Sequence, residues 1–470
     1  MGSVFDPPSQ RRKSVSFSLR TTFVLVSCRD SAHRRIPVSH CRHFAAAFVL
    51  AILHGHFLPA SDEFERPPIL YRTSTPQNDI SALQEKIERG DVSLKYDAEL
   101  GYLPSLLNAL NVPVDSQVLV FSKTSLQARR ISPQTPRALY FNDELYIGYC
   151  HEGDKLEVAA MDPLLGTVFY TLSQTESEKP TFLRETDSCL TCHASSRTER
   201  VPGLLARSVF VNRAGFPIFS RGSQNVDHTT SLINRWGGWY VTGTHGKNVH
   251  QGNQIVSSQA VPHEVENTDG LNVTSLNDFF NTSLYLTPHS DIVALMVQDH
   301  QIIVHNRLIR ANFTTRQALD YEAMMNRSLG EPEDQRREST TRRIQSAGNA
   351  LIEALLMVDE AELTDPISGT STFQETFPQK GPRDSKGRSL RDFDLTQRLF
   401  KYPCSFLIHS RMFDELPSAM KEYVYSEMWE ILAKGKHAER YAHITPEDRR
   451  AILEILKETK SDLPDFWQVP

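Results

Sequence analysis

The sequence predicts an α+β fold: a β-rich N-terminal part, an irregular, loop-rich middle segment and a mainly helical C-terminal part. Three observations carry this reading. Between residues 118 and 172, short runs rich in Val, Tyr and Phe alternate with turn residues. Between 221 and 254, glycines and tryptophans interrupt any period. Beyond Pro288, apolar residues recur at helical spacing.

The elements follow in order. Residues 61–82 contain Pro, Ser and Asp and read as an irregular lead-in, overlapped by a helical pattern at Ile80, Leu83 and Ile87 that breaks at Gly101 and Pro104. Strands are expected at 118–121, 138–141, 145–150, 156–160 and 168–172, punctuated by Asn142-Asp143, Gly153-Asp154 and Gly166. That pattern reads as antiparallel strands joined by tight turns. Two further candidate strands, 206–211 and 217–219, flank Gly215. A run from 291 to about 308 is apolar on nearly every side (Ile292, Val293, Leu295, Met296, Ile302, Val304), which predicts a buried helix. A second helix is expected at 338–358, then a Gly-, Pro- and Ser-rich linker or long surface loop at 364–390. Helices are expected at 391–401, 415–434 and 446–459, the last opened by Thr445-Pro446-Glu447-Asp448.

Within 470 residues, 39% hydrophobic and 23% charged content are ordinary for a globular protein. The first sixty residues differ. Arg34, Arg35 and Arg42 precede an apolar run at 44–53, and Leu58-Pro59-Ala60 follows it. A basic stretch, a short apolar core and a small-residue exit read as a secretory signal peptide; ten apolar residues are few for an uncleaved anchor. The expected organisation is a leader over 1–60, an α+β part over 61–284, and a mainly helical part over 285–470. The expected location is the periplasm or another exported compartment, with no stable membrane span after signal cleavage. Residues 1–60 hold eight Lys/Arg and two Asp/Glu of the chain's 51 and 57, so the remainder has a net charge of −12. Such a surface is a poor nucleic-acid binder and favours a basic redox partner protein.

Residues 189–193 read Cys-Leu-Thr-Cys-His. This is the spacing of c-type haem attachment: two thiols three residues apart can each form a thioether with a haem vinyl group, and the adjacent imidazole can ligate the iron. A redox dithiol and a zinc site are the competing readings. The first wants a strand leading in and a helix leading out, and the second wants another Cys or His pair at similar spacing. One motif implies one covalent haem c, with Cys189 and Cys192 holding the cofactor and His193 on the iron. For the opposite axial position His245 and His250 are the first candidates, because glycines beside them let backbone approach a flat cofactor. His228, and Met296 with His300 one helical turn on, are further candidates.

The segments Ser188–His193, Pro202-Gly203-Leu204-Leu205-Ala206-Arg207-Ser208-Val209 and Arg235-Trp236-Gly237-Gly238-Trp239-Tyr240-Val241-Thr242-Gly243-Thr244-His245-Gly246 carry a resemblance. The chain resembles a group of exported bacterial cytochrome c-like proteins, loosely from Val118 to Pro464, including Leu286-Thr287-Pro288-His289-Ser290-Asp291. The resemblance implies covalent haem on Cys189, Cys192 and His193 and leaves the reaction open. The expected function is therefore an exported monohaem c-type cytochrome that transfers electrons. The alternatives are a haem-dependent oxidoreductase acting on a peroxide or a nitrogen oxide, and a module in which haem is structural.

Overall fold

Asn78 starts the first helix, α1 (Asp79–Arg89). Its side chain accepts from the Ile80 and Ser81 N–H groups, and Ser81 Oγ accepts from the Asn78 N–H. This reciprocal cap satisfies donors that have no partner inside the helix. Ile80, Leu83 and Ile87 form the buried stripe that holds α1 down. A short helix, α2 (Leu103–Ala109), follows. The structure is a computed structural model that describes residues 63–256 and 267–467; the signal peptide expected over 1–60 lies outside them.

Six strands then form one antiparallel meander in sequence order: β1 (Val118–Val120), β2 (Arg137–Phe141), β3 (Leu145–Tyr149), β4 (Lys155–Asp162), β5 (Gly166–Ser173) and β6 (Phe182–Arg184). The first five match the expected runs; β6 is an addition. Side chains alternate across a strand, and the register places Tyr140, Ile147, Val158 and Tyr170 on one face. That face is buried throughout, and the Asn78 amide reaches the Tyr170 hydroxyl there at 3.1 Å. The opposite face carries Leu139, Gly148, Glu157 and Thr171 in register.

The chain next makes a single helical turn, α3 (Leu190–His193), and a small two-stranded ladder, β7 (Arg207–Val209) with β8 (Ser223–Asn225). The strand expected at 217–219 is reduced to one bridge between Val211 and Pro217, and Phe219–Arg221 forms a 3-10 turn.

The long helix α4 (Ile292–Leu329) starts where expected, with the Asp291 carboxylate accepting from Val293 and Ala294. It runs well past residue 308. Polar side chains continue it because other parts of the chain take up their hydrogen bonds: Asn312 donates to Pro163 O (3.0 Å), Gln317 to Glu63 O (2.7 Å) and Asn326 to Gln335 O (2.8 Å). The other long helices are α5 (Glu338–Leu355), α6 (Ser418–Lys434) and α7 (Pro446–Thr459), stacked α4 on α5, α5 on α6 and α6 on α7; single turns also form at Phe373–Thr376 and Arg411–Asp414. As expected, Thr445 caps α7, accepting from Asp448 N–H.

Residues 364–390 run largely over the surface, as expected, but are pinned at buried points such as Ile367, Phe373 and Phe377. Thr370 and Ser371 N–H groups donate to Asp291 at 2.8 Å, and the buried Phe373 and Phe377 rings stack at 5.2 Å. Residues 391–401 form no helix. Asp394 accepts from the Thr396 and Gln397 N–H groups, Leu395 takes a φ of 57°, and Phe393 bridges Phe400 with the rings stacked at 5.8 Å. An aspartate turn closed by an aromatic pair outcompetes helix propensity there. Among the described residues, no helix is long and apolar enough to cross a membrane.

Candidate functional site

Glu185 fastens the incoming chain to the sheet. Its N–H donates to Phe169 O (2.9 Å), while its carboxylate accepts from Thr171 Oγ1 (3.1 Å) and Ser188 Oγ (3.0 Å). The chain then coils into α3, and the His193 N–H donates to Cys189 O at 3.0 Å. Residues three and four apart share a side of a helical turn. Cys189, Cys192 and His193 accordingly line one cavity of about 510 Å³.

The floor of the cavity is the second face of the sheet: Leu139 from β2, Gly148 from β3, Glu157 and Ala159 from β4, and Phe169 from β5. Gln298 and Ile302 of α4 form a wall, with Leu204, Arg207 and Trp239 on another side. Trp239 is seated by a bridge to Val120 and by its Nε1–H donating to Arg207 O at 2.8 Å. Asp299 of α4 fixes the loop before it, accepting from Trp236 Nε1–H (3.0 Å) and pairing with buried Arg235 (3.3 Å). Burial pushes the Asp299 carboxyl up to about 7, opposed by the Arg235 charge.

Arg137 and Glu157 pair across the floor at 2.6 Å, on either side of Gly148. A β-carbon at Gly148 would lie 2.4 Å from an Arg137 guanidinium nitrogen, so glycine is what lets this ion pair lie flat.

The imidazole of His193 is held from behind. Its Nδ1 sits 2.9 Å from Gly203 O, and the Gly203 N–H donates back to His193 O at 2.8 Å. A carbonyl partner requires Nδ1 to carry the proton, which leaves Nε2 with its lone pair free. Nε2 has no hydrogen-bond partner among the described residues. The Gly203 carbonyl is itself fixed by α4: Asn306 accepts from the Leu204 N–H and donates to the Leu204 O, both at 2.9 Å. A β-carbon on Gly203 would fall 2.3 Å from Asn306 Oδ1. Phe169 meets the His193 ring at a centroid distance of 4.8 Å. Burial holds the His193 pKa below its usual value. Burial, with the Glu185 carboxylate beside it, pushes the Cys189 thiol up to about 12. Cys150, Cys189, Cys192 and Cys404 are all free thiols.

The other expected ligands lie elsewhere. His245 and His250 are neighbours, with ring centroids 4.8 Å apart, and neither lines the cavity. Each pins a loop: His245 Nε2 accepts from the Asn272 N–H (2.9 Å) and His250 Nδ1 from the Gly252 N–H (3.0 Å). Burial drives His250 down to about 3. His228 and His300 face one another, Nδ1 to Nδ1, at 3.1 Å, and His300 Nε2 meets Ser405 Oγ at 2.7 Å. Neither they nor Met296 reach the cavity. Among the described residues no three His, Cys, Asp or Glu side chains form a group able to hold a metal ion.

Sequence reasoning missed Arg137, Glu157, Gln298 and Asn306. A signal existed for the first two, since charged residues within otherwise apolar strand runs mark a face that is not ordinary core. In comparisons with known proteins the chain matches no family model, no curated protein and no solved structure.

Proposed function

We propose that this chain is a monohaem c-type cytochrome, with haem bonded through Cys189 and Cys192 and ligated by His193 Nε2. One observation carries the reading: His193 gives Nδ1 to a backbone carbonyl, and His193, Cys189 and Cys192 line a single cavity. A metal-ligating histidine ordinarily spends its other ring nitrogen in this way. The residues present fit the group. A cavity of about 510 Å³ falls within the roughly 300–1,000 Å³ usual for cofactor pockets. Leu139, Ala159 and Phe169 supply an apolar bed, and Arg207 supplies a cation for carboxylates.

Bound haem supplies a one-electron iron couple. The chain's part is to fix the imidazole through Gly203 and Asn306, to exclude water with the sheet floor and α4, and to keep Arg137 and Glu157 mutually neutralised. The electron-transfer reading joins this site to a net charge of −12 beyond residue 60 and to a basic partner in an exported compartment. A second reading, oxidoreductase chemistry on a small molecule, is favoured by the lining. Among its described residues His193 is the only imidazole and methionine is absent.

The test is production with the cytochrome c maturation machinery, followed by denaturing electrophoresis with haem staining. Haem that stays on the unaltered chain and is lost from the Cys189→Ala/Cys192→Ala double variant is expected. An unaltered chain that carries none would overturn the proposal.

A further inference from the structure

We infer that the end of this cavity beside α4 binds a small neutral ligand of two or three atoms, hydrogen-bonded by the Gln298 carboxamide. The inference rests on the haem reading and names the ligand class of the same site.

Gln298 is 2% exposed and lines the cavity, and its Oε1 is buried with no partner among the described residues. Its neighbours on α4 all spend their polar groups. Asp299 binds Arg235 and Trp236, His300 meets His228 and Ser405, and Gln301 accepts from the Tyr146 hydroxyl at 3.2 Å. A buried amide without a partner is costly, and proteins retain few of them. Oε1 can only accept; the Nε2–H2 group, from which no described residue accepts, is the donor that Gln298 offers to the cavity that holds His193.

Asn306, which fixes the His193 anchor, and Gln298 lie two turns apart on α4, about 12 Å along its axis at 1.5 Å per residue. Ile302 lies between them on the cavity wall. One helix thus carries both the support of the His193 imidazole and a carboxamide that lines the cavity. With no second imidazole or thioether among the described lining residues, the chain would offer an iron held by His193 no further strong ligand from the cavity lining. The ligand is neutral where it meets Gln298, because a carboxamide offers donor and acceptor functions without charge. It is small because a planar macrocycle takes the larger share of about 510 Å³.

Carbon monoxide is the probe, added to dithionite-reduced holoprotein. A shift of the main absorption band is expected. In Gln298→Leu the C–O stretching frequency should rise and CO release should quicken roughly three- to tenfold, the equivalent of one lost hydrogen bond from the Gln298 Nε2–H to the CO oxygen. Covalent haem whose spectrum ignores CO would overturn this inference and leave the haem reading standing. Absence of covalent haem would remove the haem reading itself, and this inference with it. A CO shift with unchanged stretch and release in Gln298→Leu would overturn the role of Gln298. If that variant fails to fold, Gln298→Asn is read the same way, and the unaltered protein alone still decides whether the position is open.

Discussion

The two faces of the meander are made by the same strands and do opposite work. On one, the side chains of Tyr140, Ile147, Val158 and Tyr170 are all buried. On the other, Gly148 stands beside an ion pair, and Leu139, Ala159 and Phe169 line open space. Period-two alternation allows this, since each strand writes two independent surfaces. The packed face supplies stability. The cavity face gives up packing for a bed that can receive a flat, apolar group, and it uses glycine and a mutually neutralised pair to stay open.

The contrast can be broken from either side. The largest effect belongs to the packed face: Ile147→Ala should cost about 2–5 kcal/mol in urea unfolding, with haem stoichiometry per folded molecule unchanged. Asn306→Leu comes next. It strips partners from both polar groups of Leu204, a cost of about 2–4 kcal/mol. It also frees the Gly203 carbonyl, so the signature in the holoprotein's spectrum should move as well, which a merely structural residue would not do. Gly148→Val, by contrast, should cost only about 1–3 kcal/mol. It drives the Arg137 guanidinium off the floor, and haem incorporation should fall further than stability does. Equal haem content in Gly148→Val and the unaltered chain would remove the distinction between the faces.

The smallest effect is a slope against pH. Burial holds His305, at the α4 side of Tyr146, down to about 4. The unfolded chain, with an imidazole pKa near 6.5, takes up the proton first. The stability that His305 contributes is therefore fully present above about 6.5 and is lost as pH falls toward 4, at about 1.4 kcal/mol per pH unit. His305→Leu should flatten the fall in melting temperature across that window. Half-buried Glu144, pushed up to about 8, works in the opposite sense between about 4.5 and 8, and the variant leaves that contribution in place.

Much of this was legible in the sequence. Five strands announced themselves as short runs rich in Val, Tyr and Phe between turn residues, and α1, α5, α6 and α7 by helical patterns and, for α7, a cap. The sixth strand is three residues long with Leu183 62% exposed, so it left no pattern to read. The far half of α4 was hidden because its buried residues include Asn312, Gln317 and Asn326, whose burial depends on partners distant in sequence. The turn at 391–401 was decided by Phe393 meeting Phe400, a pairing that a helical reading of its apolar residues overlooks. At the site, the Cys-Leu-Thr-Cys-His segment carried its own spacing. His245 and His250 looked equally suited, being beside glycines and tryptophans, yet Trp239 lines the cavity and the histidines hold loops. Proximity in sequence to a lining residue does not place the next side chain in the lining.

One feature of α4 bears on the order of assembly. The floor and the segment with Cys189 and Cys192 are continuous within the first half of the chain, whereas the wall made by Gln298 and Ile302, and the Asn306 brace, come much later. A chain emerging from its N-terminus presents a trough before it presents a cavity. The trough is walled in only when α4, the first and longest of the four C-terminal helices, packs against it.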